Sequence, residues 1–263
     1  MTMNDRPRFV LQKRDLHLLR EISLMRIIDR EQAKVVAGFG STTRVNARLL
    51  SLVRNGLLRR VFLGTTAGGA KALYSLSEKG ARLAEVPQRG FRRTEDQALV
   101  ADFSVNHQLA VNEIYCALKY AALPPTVKFK RWVGFQEPIV QGLRLIPDGY
   151  VEFESPRETV ASFLEIDLGH ERLKVWKQKV ENYFQLALSG KFPTLFGPGR
   201  FRTLVIAHSP GRALSIRKVA AAVTEKIFWF SDLESIRRED IFGPIWLRPR
   251  DDRPQLLFRE SLP

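Results

Sequence analysis

Two acids in the segment SFLEIDLG hold the most chemical interest in the chain. Read as a strand, the run alternates: Leu164, Ile166 and Leu168 fall on one face, Phe163, Glu165 and Asp167 on the other. Carboxylates at i and i+2 on an otherwise apolar strand are costly to desolvate unless something neutralises them. A divalent cation would do so, because Mg²⁺ takes oxygen ligands and is commonly held by one or two carboxylates plus waters. Asp148, after Pro147 in RLIPDGYVEF, offers a third acid from the preceding strand, and a tight connection would set it beside Glu165. Asp148 and Glu165 are therefore the candidate ligands of a Mg²⁺ or Mn²⁺ ion. The alternative is structural: Glu165 and Asp167 bonded to Arg172, Lys174 or His170, or to strand-end amides.

Other reactive types are less suggestive. His107 and His170 lack the spacing of a zinc site, and His107 reads as a helix-packing residue. Cys116 is the single cysteine and lies on an apolar helix face, so disulfide frameworks and cysteine-rich zinc sites are excluded. No GxxxxGK phosphate loop occurs, which argues against a nucleotide-driven motor.

The elements that must position these acids follow from periodicity. VADFSVNHQLAVNEIYCALKYAAL is a long helix ending before Pro124-Pro125. VKFKRWVGFQEPIV, LRLIPDGYVEFES and TVASFLEIDLG are three successive strands. ERLKVWKQKVENYFQLALSG is a helix closed by a glycine, RTLVIAHS a buried strand, SIRKVAAAVTEKI a helix, and FWFSD a last short strand. That order predicts a mixed sheet flanked by helices, an α/β layer arrangement. Phe228, Trp229, Phe230 and Trp246 are either core or a surface for a partner.

The charge is lopsided. The chain of 263 residues has 42 Lys/Arg against 28 Asp/Glu, a net of +14. Residues 1–93 hold 19 basic and 7 acidic side chains, whereas residues 94–263 hold 23 and 21. A basic first third suggests a polyanionic partner, and without a basic amphipathic membrane helix that partner is nucleic acid. The same third reads KRDLHLLREISLMRIID as a helix with Leu16, Leu18, Leu19, Ile22, Leu24 and Met25 as its stripe. A short helix REQAKVVAG follows, ending at Gly38, and then a third, STTRVNARLLSLVRNG, capped by Ser41 or Thr42 and closed by Asn55-Gly56. On that third helix Val45, Leu49, Leu52 and Val53 gather on one side. Thr43, Arg44, Ala47, Ser51 and Arg54 gather opposite, with Thr42 at the start and Arg48 at the border. Such a face suits the major groove, where Arg pairs with guanine and Thr or Ser reaches phosphates or base edges. LLRRVFLG and KALYSLSEKG, joined by TTAGGA, make a β-hairpin. EVPQRGFRRTEDQ, aperiodic with Pro87 and Gly90, marks a linker. The expected organisation is a DNA-binding domain at 8–86, a linker at 87–98 and a second domain at 99–263, giving an α+β or α/β two-domain chain. No run approaches 18 apolar residues and the N-terminus lacks a secretory stretch, so the expectation is a cytoplasmic protein with no membrane contact.

The helix–helix–turn–helix–hairpin order resembles the winged helix-turn-helix family, at NGLLRR and YSLSEKGARLA in particular. The resemblance implies that Arg59, Arg60 and Lys71 on the hairpin touch backbone phosphates. Pro-Asp followed by an acid-x-residue pair on the next strand resembles the PD-(D/E)xK nuclease superfamily, in which Asp148 and Glu165 correspond to the metal-binding acids. The expected catalytic lysine falls on Asp167. Lys174, Lys177 or Lys179 on the following helix could act from a migrated position, with Lys179 the one chosen, while Gln178, Tyr183 and Glu113 are further candidates. As a whole, with NHQLAVNEIYCAL, IPDGYVEF … FLEIDLGHERLKVWKQKVENY and FWFSDLESIRREDIFGPIW, the chain resembles the replication-relaxation family of plasmids and other mobile elements. That implies a winged-helix DNA binder joined to a restriction-endonuclease-like domain, acting in replication, maintenance or transfer of mobile DNA or in its transcriptional control. Double-stranded DNA is the implied partner, with a homodimer or replication and transfer proteins beside it. The alternative is a divalent-metal-dependent endonuclease or nickase.

Overall fold

A computed structural model of the chain describes residues 9–64, 68–88, 98–156 and 158–258, with only the backbone described for 98–103. By contacts the chain forms two compact units, 1–116 and 117–263. Of the expected linker, residues 89–97 lie outside the described residues.

The first unit opens with helix α1 (Lys13–Met25), which buries Leu18, Leu19, Ile22 and Met25 but leaves Leu24 exposed. The helix is shorter than its periodicity predicts. Arg26 turns the chain with φ 65°, and Ile28–Asp29 becomes strand β1. Asp29 then caps α2 (Arg30–Val36) by accepting from the Gln32 amide at 2.8 Å. Helix α3 (Thr42–Arg54) is capped by Ser41 and followed by Gly56 at φ 72°. Strands β2 (Leu58–Gly64) and β3 (Ala70–Leu76) pair antiparallel as the expected hairpin, and β1 adds to β3, so the sheet order is β1-β3-β2. Residues 65–67 at its tip lie outside the described residues. SEKG, expected to extend the second strand, instead opens helix α4 (Glu78–Ala84), capped by Ser77. Gly80 allows α4 to close against the hairpin, since a Cβ there would collide with the Leu57 carbonyl.

Helix α5 (Ala98–Tyr120) packs on these elements up to Cys116. Leu109 and Val105 join Ile27, Leu63 and Leu73 in one core cluster. Asn112 is buried there for a reason: its Nδ2 donates to the carbonyls of Met25 (3.1 Å) and Ile27 (2.6 Å), acceptors at the break that ends α1. Tyr115 donates to Glu21 at 2.5 Å, which satisfies an otherwise buried carboxylate.

The second unit is a seven-stranded mixed sheet flanked by helices. In chain order it contains β4 (Lys128–Val133), β5 (Gly149–Glu154), β6 (Thr159–Asp167), α6 (Leu173–Leu188), α7 (Lys191–Phe196), β7 (Phe201–Ala207), α8 (Pro210–Ala221), β8 (Phe228–Asp232), α9 (Leu233–Glu239), β9 (Trp246–Arg248) and β10 (Asp251–Gln255). The spatial order is β10-β9-β8-β7-β6-β5-β4. Strands β6, β7 and β8 are parallel, joined by helical crossovers, and the outer pairs are antiparallel. FWFSD is thus not the last strand: β8 is internal, between β7 and β9. Phe228, Phe230 and Trp246 are fully buried and Trp229 nearly so, which leaves them no partner-facing surface. Phe163, Tyr150, Val205 and Phe230 of the sheet pack against Trp176, Val180 and Tyr183 of α6 and Ile216 of α8. This cluster fixes α6 above β6, and so determines what the acids of β6 meet.

Candidate functional site

The alternation expected of β6 is what the fold displays. Glu165 and Asp167 share the face that carries Phe163, and both lie beneath α6 at about 1% and 2% exposure. Trp176, Lys179 and Tyr183 present one side of α6 to them, at the i, i+3, i+7 spacing of a helical face.

Asp148 sits immediately before β5, opposite Glu165. Its amide donates to the Leu164 carbonyl at 3.0 Å, and its Oδ2 accepts from the Ile166 amide at 2.7 Å. These two bonds extend the β5–β6 pairing and hold Asp148 next to Glu165, as the tight connection predicted. Glu165 Oε2 accepts from Lys179 Nζ at 2.9 Å and Oε1 accepts from the Tyr183 hydroxyl at 2.7 Å. Lys179 also pairs with Glu171 at 2.9 Å. Of the lysines on α6, Lys174 and Lys177 are exposed and Lys179 converges on the acids.

Electrostatics distinguish the two acids of β6. Burial pushes the Glu165 carboxyl up, Lys179 opposes and Asp148 adds to the rise, so Glu165 titrates near 7 rather than 4.5. Burial alone would lower Lys179, but Glu165, Glu171 and Asp148 outweigh it and hold the ammonium protonated. Burial alone would likewise raise Asp167. Bonds from Arg212, Trp176 and Gly169 reverse it, and its carboxyl lies below the ordinary 3.8. Asp167 receives both arms of the Arg212 guanidinium, each at 2.9 Å, with the Trp176 indole at 2.5 Å and the Gly169 amide at 2.7 Å. Its role is to clamp α6 and α8 to the end of β6. Of the structural partners weighed from the sequence, the strand-end amide is present, at Gly169, and the cation paired with Asp167 is Arg212. Arg212 lies on a different helix and Trp176 carries no charge, so no acid-base spacing pointed to either.

Among the described residues no three His, Cys, Asp or Glu side chains gather as a metal ion would need. Asp148 and Glu165 are neighbouring carboxylates, the ligand type a hard dication takes, but both Glu165 oxygens already accept from Lys179 and Tyr183, which an ion would have to displace. Glu113 and His107 lie on α5 in the first unit.

In the first unit, α3 turns Val45, Leu49 and Leu52 inward, fully buried. Thr43, Arg44, Ala47 and Arg54 are exposed, while Thr42 and Ser51 are half-buried. Arg48, expected at the border, is tied into the fold. Its Nε donates to Asp15 at 2.8 Å, a second arm reaches the other Asp15 oxygen and the Val10 carbonyl (2.7 Å), and the guanidinium lies 4.9 Å over the Phe9 ring. Asp15 is 1% exposed, so Arg48 neutralises a buried charge. Arg59 and Arg60 are exposed on β2, with Arg60 stacked 4.8 Å over Phe62. Lys71 pairs with Asp29 at 2.5 Å and keeps its side chain 45% exposed. Arg44 and Arg54 of α3 and Arg59 and Arg60 of β2 are thus exposed cations of the first unit.

No helix among the described residues is long and apolar enough to cross a membrane. No curated protein and no solved structure matches the chain. The family model described as replication-relaxation matches residues 16–195, about two thirds of the sequence. That match begins within α1, ends within α7, and takes in both the α3 surface and the Asp148–Glu165–Lys179 cluster, so the chain belongs to the replication-relaxation family.

Proposed function

We propose that the chain is a duplex-DNA-binding protein, with residues 8–86 acting as a winged helix-turn-helix and 99–263 as a restriction-endonuclease-like body beyond the 87–98 linker. The observation that carries the reading is the polarity of α3. Its apolar side is consumed by the core, and Thr43, Arg44, Ala47 and Arg54 remain outside, beside Arg59 and Arg60 of the hairpin. A helix with short side chains between arginines can enter the major groove, where Arg reads guanine, while hairpin cations hold phosphates. Membership of the replication-relaxation family supports a role in replication or in the upkeep and transfer of mobile DNA. Arg44 and Arg54 are the residues to test, because removing Arg48 would strand Asp15 and confound binding with stability. Arg44→Ala with Arg54→Ala should weaken duplex binding by about tenfold or more and flatten its salt dependence, by fluorescence anisotropy across a salt series. Affinity equal to wild type at every salt concentration would remove α3 as the reading helix.

A second reading is favoured by one observation, the convergence of Asp148, Glu165 and Lys179. In a divalent-metal-dependent nickase, Asp148 and Glu165 would hold Mg²⁺ or Mn²⁺, and the bound ion would stabilise phosphate charge and acidify a water. Lys179 would oppose the effect of burial and lower the pH at which Glu165 ionises, and Tyr183 would orient it. On this reading supercoiled plasmid incubated with Mn²⁺ is nicked by the wild type and not by Glu165→Gln, as seen on an agarose gel. Intact plasmid with the wild-type protein counts against it.

A further inference from the structure

Strand β4 forms one edge of the large sheet, and its pairing with β5 slips by one residue between Phe129 and Arg131. The bulge has a chemical result. Strict alternation would send Lys130 and Arg131 to opposite faces, but both reach the same buried acid, Glu152, from Lys130 at 3.6 Å and from Arg131 at 2.5 Å. Glu152 is 1% exposed and also accepts from the Tyr150 hydroxyl at 2.7 Å. Arg131 is fixed further by donating to the Phe196 carbonyl at 2.8 Å. Two adjacent cations are thereby aimed at one place, and each keeps 43% of its side chain exposed. They open onto a cleft of about 480 Å³ whose other walls include Thr159, Gly197 and Phe196, the last partly buried with its ring also against Tyr150 and Phe192. Lys128, exposed on the same edge, extends the cationic row.

We propose that this cleft binds an unpaired nucleotide of a DNA or RNA strand: its phosphates on Lys128, Lys130 and Arg131, its base against Phe196. The volume is that of a small-ligand site and admits one base with its sugar. A duplex keeps its bases stacked and has none to insert, whereas a single strand offers a flat face to an aromatic ring and a phosphate to each cation. Edge protection alone requires one charge at the edge; it does not require two neighbouring cations turned onto one buried carboxylate and braced by a tyrosine. The site is independent of the α3 surface, and its residues take no part in the Glu165 cluster.

The test uses the full chain and a fluorescein-labelled dT oligonucleotide of about ten residues. Wild type and the Arg44→Ala/Arg54→Ala variant should bind it alike, and an excess of unlabelled duplex should not displace it from that variant. Lys130→Ala should weaken binding about five- to tenfold at low salt and reduce the salt slope by about 0.7, the share of one phosphate on a single strand. Phe196→Leu, which keeps apolar volume but removes the ring face, should weaken binding without changing that slope. Unchanged melting temperatures exclude a folding defect, and Lys128→Ala, on an exposed side chain, should give a loss similar to that of Lys130→Ala. Absence of single-strand binding, or affinity equal to wild type in both Lys130→Ala and Lys128→Ala, overturns the proposal while leaving duplex recognition by α3 standing. Loss of both ligands in Arg44→Ala/Arg54→Ala overturns it too, because the strand would then be held by the first unit.

Discussion

Asp167→Ala is expected to destabilise the second unit by about 3–5 kcal/mol, the cost of leaving a buried ion pair with one partner. The side chain is almost wholly buried, and four hydrogen bonds end on it: two from Arg212, one from the Trp176 indole and one from the Gly169 amide. Removing it strands a guanidinium that is itself only 15% exposed and loosens α6 and α8 together. Urea denaturation followed by tryptophan fluorescence measures the effect directly. Arg212→Ala should cost a similar amount, and the double variant much less than the sum, because the two side chains stabilise each other. The pH dependence has a definite sign. Asp167 has a folded pKa below its ordinary 3.8, so its contribution is present above that value and lost as pH falls through the folded pKa. A change below about 0.5 kcal/mol in Asp167→Ala would show that the clamp is incidental and reopen Asp167 as a chemical residue.

Lys179→Met should be the other large effect, and its size should change across the neutral range, where Glu165 titrates. Among the described residues Lys179 is the cation that balances the charge of buried Glu165, while Asp148 lies close enough to repel it. With the ammonium gone, the ionised carboxylate is unpaired, and the loss should reach about 3 kcal/mol at pH 8. At pH 5, below the value near 7 at which Glu165 titrates, the carboxyl is protonated and the loss should be much smaller. In the wild type, the folded state holds this proton more tightly than the unfolded chain does. The stabilisation is therefore full below the ordinary 4.5 and disappears as pH rises toward 7. Glu165→Gln should flatten that part of the stability profile, and Glu165→Gln with Lys179→Met should recover most of the loss at pH 8. Chemical denaturation at pH 5, 6, 7 and 8 distinguishes the cases; a pH-independent penalty in Lys179→Met would mean that the lysine acts through packing alone.

The two acids of β6 show how far local pattern reaches. Their shared face follows from the period of a strand, and the opposition of Val45, Leu49 and Leu52 to Arg44 and Arg54 follows from the period of a helix. Asp148 was legible for the same kind of reason: a short connection between antiparallel strands leaves few places for the residue before β5 to go. What local pattern misread was continuity. RIID has the apolar content to prolong α1, yet the carbonyls of Met25 and Ile27 accept from Asn112 on a helix more than eighty residues on, and Ile28 leaves to pair with Tyr74. Similarly the alternation of KFKRWV gives no hint of the bulge that sends Lys130 and Arg131 the same way.

By itself the sequence determined the quantities that depend on composition and on neighbours in the chain: the basic first third, the polarity of α3, the side of β6 that carries acids, and the kinship to the replication-relaxation family. The tertiary structure alone decided which charge meets which. Arg48 was drawn from the presumed DNA face to Asp15, 33 residues away, and Asp167 from presumed chemistry to Arg212, 45 residues away. The physical reason is that a carboxylate brought out of water must be neutralised by whatever cation packing delivers within about 3 Å, and that delivery is set by how helices sit on sheets, which no local period encodes.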